Sequence, residues 1–131
     1  MTTILSAKDY EKKLKATIQR TGRLGFTDDT IEELGIKETV RVKFAQDDED
    51  NRKLYLIMTD DKDEDAFKVI KAGSYYYLNT KLLFNSLGLD FKNNTIMFDL
   101  ARNAQLDEEL KGKVYNMNIR IHKRKKEENE M

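Results

Sequence analysis

Apolar and polar residues alternate with a period of two through much of this chain, in short runs. Val40, Val42 and Phe44 fall on one side of the segment 39–44, with Arg41 and Lys43 on the other. Ile96, Phe98 and Leu100 repeat the pattern over 95–100. Successive strand side chains point to opposite faces, so each segment reads as a half-buried β-strand. A further strand follows each, over 53–59 and 113–121. In the last of these Tyr115, Met117, Ile119 and Ile121 share one face, and Asn116, Asn118, Arg120 and His122 the other.

The pattern is duplicated. The run Thr17-Ile18-Gln19-Arg20-Thr21-Gly22-Arg23-Leu24-Gly25-Phe26 matches Lys68-Val69-Ile70-Lys71-Ala72-Gly73-Ser74-Tyr75-Tyr76-Tyr77, each reading strand, glycine, strand. Both runs lead into a short polar segment that ends in Leu34-Gly35-Ile36 or Leu87-Gly88-Leu89. Thr27, Asp28 or Asp29 can cap a helix through Leu34. Acidic residues suit its first turn and Gly35 suits a left-handed C-cap. Asn79 and Gly88 punctuate the second helix in the same way. One more short helix is expected over 106–111, closed by Gly112. Ser6 with Asp9 resembles a capping box at the N-terminal end.

The expected fold is therefore α+β and β-rich: a small barrel of two ββαββ halves related by pseudo-two-fold symmetry, over about 15–59 and 66–122. One half of that size has too little apolar surface to stand alone. Closure of the barrel would also remove exposed strand edges. The expected domain covers 1–122, with a charged, disordered tail over 123–131.

Composition narrows the functional classes. The chain has 131 residues, 39% hydrophobic and 37% charged, with zero formal net charge and no cysteine. A length of this order fits one core that buries roughly 65–70% of the unfolded surface. The lack of cysteine excludes disulfides and thiolate chemistry and suits a reducing compartment, with cytoplasmic location the expectation. Neither a signal peptide nor a membrane span is expected. Charge is unevenly spread: residues 47–65 hold nine carboxylates and three basic groups, while basic residues crowd the first 23 positions and 120–126.

From Gly22-Arg23 through Leu34-Gly35-Ile36 the chain resembles the core motif of the AbrB/MazE/SpoVT family of swapped-hairpin transcription regulators. The second copy, from Gly73 to Leu89, follows it more loosely. Family members form the barrel by pairing one such unit from each of two chains. The resemblance thus implies a swapped-hairpin or double-psi-like barrel, as a monomeric pseudo-dimer or weak homodimer. It implies DNA binding, antitoxin-type partner binding or, as in the related double-psi barrels with their comparable duplicated halves, quite different activities. The sequence departs from the motif where Thr27 replaces a proline, where Ser74 stands in place of Arg23 in the second copy, and where Asp28, Asp29, Glu32 and Glu33 make the first helix acidic. Arg23 carries over as a contact to phosphate or a base edge.

No catalytic set can be assembled, so no enzyme is expected. His122 is the only imidazole, and no glycine-rich phosphate loop occurs. The acidic runs lack the spacing of a calcium loop, so no metal and no cofactor are expected. The candidate nucleic-acid contacts are Lys15, Arg20 and Arg23 on the first hairpin, Arg41 and Lys43 on the next strand, and Lys68 and Lys71 in the second copy. Arginine on a rigid hairpin suits bidentate contacts to phosphate or guanine. Tyr75-Tyr76-Tyr77 offers base stacking or core packing. The reading is a DNA-binding, transcription-regulator-like module that contacts duplex DNA through a basic hairpin face. The alternative is a non-catalytic protein-interaction module on the same barrel, without nucleic-acid binding.

Overall fold

The computed structural model describes residues 1–124. Nine antiparallel strands form a nearly closed barrel: β1 (Lys15–Ile18), β2 (Leu24–Phe26), β3 (Arg41–Gln46), β4 (Leu54–Thr59), β5 (Phe67–Lys68), β6 (Ile70–Ala72), β7 (Tyr75–Leu78), β8 (Asn94–Arg102) and β9 (Lys113–Lys123). Helix α1 (Asp28–Leu34) lies between β2 and β3, α2 (Lys81–Ser86) between β7 and β8, and α3 (Asp107–Leu110) between β8 and β9. The neighbour order is β5-β3-β4-β9-β8-β1-β2-β7-β6. The two ends of that order, β5 and β6, are separated in the chain by Val69 alone. That residue is buried, and it takes the backbone from one edge of the sheet to the other. The single second-copy strand expected around 68–71 is therefore broken in two at Val69.

Alternation fills the barrel as the sequence predicts. Ile18, Leu24, Val42, Leu56, Leu78, Ile96 and Phe98 are fully buried and belong to one core cluster with Leu100 and Met117. α1 adds Leu34 and α2 adds Phe84 to the same core. Phe84, Phe91 and Phe98 are its largest fully buried side chains, each the kind of residue whose truncation to alanine costs about 3–5 kcal/mol. Ile57 and Val114 are paired, buried and outside that cluster, on the outer face of the sheet, where the 3-10 turn Ala104–Leu106 and α3 pack on β9 and Ile57 lies against Gly112.

The helix ends follow their capping residues. The Thr27 hydroxyl accepts from the Thr30 N–H, and Gly35 takes the left-handed conformation with φ of 67°. Buried Thr30 ties α1 to β1, accepting from the Lys15 N–H at 2.7 Å and donating to the Lys15 carbonyl at 3.0 Å. Three local expectations change. Thr80, not Asn79, precedes α2, and its hydroxyl donates to the Gly22 carbonyl rather than capping the helix. At the end of α3 the left-handed residue is Lys111. Gly112 is instead required by close packing, since a Cβ there would meet the Met58 carbonyl oxygen at 2.6 Å. The N-terminal 3-10 turn Ala7–Tyr10 forms without a side-chain cap from Ser6 and buries nothing.

Barrel closure does not remove every strand edge. β8 pairs with β9 as far as Lys123, but β4 pairs with it only from Lys113 to Met117. Ile119 and Ile121, expected on the buried face, are consequently exposed. The tail expected over 123–131 begins inside β9 and, from residue 125, lies outside the described residues.

Candidate nucleic-acid interface

The seven basic residues singled out by the sequence are spread over a wide arc of the barrel that spans six of its nine strands. β1, β2, β7 and β6 are hydrogen-bonded neighbours, and β5, joined to β6 through Val69, pairs with β3. Arg41 and Lys68 are direct cross-strand partners. Two like charges placed opposite repel unless a counter-charge joins them.

The members of this arc are in different electrostatic situations. The Lys43 ammonium donates to Asp63 at 2.6 Å, with Asp61 at 3.9 Å. This contact raises the lysine pKa above its ordinary value and lowers that of Asp63. Arg41 turns back on the chain and donates from Nη1 to the carbonyls of Glu38 and Val40, each at 3.1 Å. Lys15 sits opposite Asp99, whose carboxylate is engaged by Arg120 at 2.7 Å. Arg20, Arg23, Lys68 and Lys71 are exposed and, among the described residues, have no carboxylate within ion-pair distance.

The tyrosine run divides by alternation. Tyr76 packs against the core, while Tyr75 and Tyr77 face outward and stack with ring centroids 6.0 Å apart and planes 23° from parallel. The Arg23 guanidinium carbon lies 4.5 Å from the centre of the Tyr77 ring. A cation over an aromatic face gains about 0.5–1 kcal/mol at an exposed site. Gly25, the cross-strand partner of Tyr77, makes room for the platform, because a Cβ there would land on the Tyr75 hydroxyl. That hydroxyl accepts from Gln19 Nε2, and burial raises its pKa.

The hairpin tip is held in place as well. Gly22 has φ of 89°, and a Cβ on it would stand 2.7 Å from the Lys81 Cβ. The Thr80 hydroxyl fixes the Gly22 carbonyl at 2.9 Å. A surface cavity of about 510 Å³ opens beside this contact, lined by Thr21, Arg23, Phe67, Lys81 and Leu82 among others. Lys81 is the cation that sequence reading missed. Nothing local marks it, and only the packing of the first hairpin on α2 brings it beside Arg23.

The acidic helix is kept away from this tip. α1 sits where β4 finishes and β9 begins, with Leu34, Met58 and Lys113 lining one cavity. α2 sits at the opposite end, where Leu87 and Leu89 share a groove with Leu54 and Met117. Among the described residues no cluster of three or more His, Asp or Glu side chains is placed to hold a metal ion, and no helix is long and apolar enough to cross a membrane. No protein-family model, curated protein or solved structure matches this chain.

Proposed function

We propose that this chain is a non-catalytic DNA-binding module of the transcription-regulator kind, which meets duplex DNA through the tip and outer face of the first hairpin. The observation that carries the reading is the placement of Arg23. It is held over Tyr77 beside Lys81, has no carboxylate partner among the described residues, and lies at the barrel end away from α1. Arg20 and Lys68 extend the positive surface near the tip and supply phosphate contacts, while Lys15 and Lys71 lie level with the end of β2, on the α1 side, and contribute less. Arg41 and Lys43, already engaged within the chain, contribute least.

The strand order supports the duplicated, AbrB-like reading. Exchanging β1 with β5 and β6, β2 with β7, β3 with β8 and β4 with β9 leaves the neighbours around the barrel unchanged. In this reading one chain supplies both halves, so a monomer suffices. It acts in the cytoplasm, where a cysteine-free chain is at home.

The test is fluorescence anisotropy with a labelled mixed-sequence duplex at low ionic strength. Binding should weaken steeply with salt, and Arg23→Ala should weaken it about tenfold. Absence of binding, or binding indifferent to Arg23→Ala, overturns the reading. The acidic helix and the neutralised Lys43 favour the second reading, a protein-interaction module without nucleic-acid affinity, and absence of DNA binding would point there.

A further inference from the structure

β9 is eleven residues long, and β4 covers only its first five positions, from Lys113 to Met117. From Asn118 to Lys123 one edge carries backbone N–H and C=O groups that, among the described residues, bond to nothing else in the chain. Ile119 and Ile121 are 41% and 53% exposed on this overhang, on the face that Tyr115 and Met117 bury further back. An uncovered edge with exposed apolar residues is the feature most folded proteins blunt, and it is a template for strand addition.

The surroundings select the partner. A groove of about 440 Å³ beside the overhang is lined by Leu54, Leu87, Leu89, Met117 and Ile119 with Arg52, and a second hollow of about 490 Å³ adds Lys53 and Asn118. Neither lining contains a carboxylate. The overhang carries Arg120, His122 and Lys123 and no acid, and Arg124 just beyond it donates to the Phe91 carbonyl. Two ion pairs are closed nearby, Arg120 with Asp99 and Arg52 with Asp50, which leaves Lys53, His122 and Lys123 as basic groups with no carboxylate at ion-pair distance among the described residues. A second copy of this edge would set those cations against themselves, which disfavours self-pairing.

We propose that the β9 overhang is the docking edge for an extended segment of a partner protein that alternates acidic and apolar side chains. The segment adds as a strand in line with β4. Its period of two sends apolar side chains into the Leu54–Leu87–Leu89 groove and carboxylates to the opposite face, toward Lys53 and His122. The surface includes none of Lys15, Arg20, Arg23, Lys68 or Lys71, so it stands whether or not DNA is bound.

The test titrates the isotope-labelled full chain with a blocked decapeptide of alternating valine and glutamate, and with a valine–lysine control. Amide shifts are expected at 118–123 and around Leu54 and Leu89. Affinity should fall roughly fivefold or more from low to high ionic strength, and similarly in Ile119→Ser/Ile121→Ser. Both isoleucines are exposed, so the rest of the spectrum should be unchanged; Ile121→Ser alone serves if the double variant fails to fold. Four results overturn the proposal: no shifts at millimolar peptide, equal binding of the lysine control, protection of the edge in a dimer of the free chain, or binding seen only after residues 125–131 are deleted.

Discussion

The two short hairpins share a strand–glycine–strand pattern, yet their glycines do different work. In the first, five residues separate the Ile18↔Leu24 pair, and Gly22 is pressed against Lys81 while its carbonyl accepts from Thr80. In the second, Gly73 and Ser74 alone join Ala72 to Tyr75, and nothing lies within 4 Å of a Cβ built on Gly73. One glycine answers both a backbone angle and a neighbour, the other only an angle. The first hairpin is thus a fixed platform and the second a free turn. The Gly-Arg step is found on the fixed one, so Arg23 is presented from a held backbone.

The difference can be broken directly. Gly22→Ala should be the most damaging change, because left-handed strain of about 1–2 kcal/mol adds to overpacking of about 1–3 kcal/mol against the Lys81 backbone. Gly73→Ala should incur the strain alone, about 1–2 kcal/mol. Denaturant unfolding of both variants decides the matter, and equal losses would show that the first tip is no more constrained than the second. Thr80→Val isolates the pin. The buried Gly22 carbonyl loses its donor, at an expected cost of about 1–3 kcal/mol. If the platform reading holds, the same variant should weaken DNA binding more than Gly73→Ala does.

The features legible in the sequence were those set by neighbours along the chain. Alternation marked β3, β8 and β9, and Thr27 and Gly35 marked the ends of α1. What stayed hidden depends on contacts between distant residues. The break at Val69 arises because the two sheet edges meet there. Burial of Ile119 and Ile121 failed because alternation gives the face of a strand and not the length of its neighbour. Arg23 could be singled out from its Gly-Arg context. Its platform could not, since Tyr77 and Lys81 come from the second half of the chain. Lys43 looked as available as Lys68 until the loop after β4 folded Asp63 onto it.

The long hairpins extend the comparison and give the smallest expected effect. β3 and β4 are joined by an acidic turn in which Asp47 Oδ1 accepts from the N–H groups of Glu49 and Asp50. β8 and β9 are joined through α3, where Asp107 accepts from the Val114 N–H at 3.0 Å and pairs with Arg102 at 2.5 Å. The Arg102 guanidinium, then the Val114 N–H, hold the Asp107 carboxyl at about 2, below its ordinary 3.8. A depressed folded-state pKa means that the unfolded chain binds the proton first, so the stabilisation is present above the unfolded value and is lost as pH falls from about 4 toward 2. The pair is largely exposed and screened by salt, which keeps the effect small. Asp107→Asn should lower the melting temperature slightly at neutral pH and flatten its decline between pH 4 and pH 2, as read by circular dichroism. Glu49→Gln, in the acidic turn, should leave that decline unchanged. If both variants flatten it equally, acid sensitivity belongs to the chain's overall charge rather than to the Asp107 anchor.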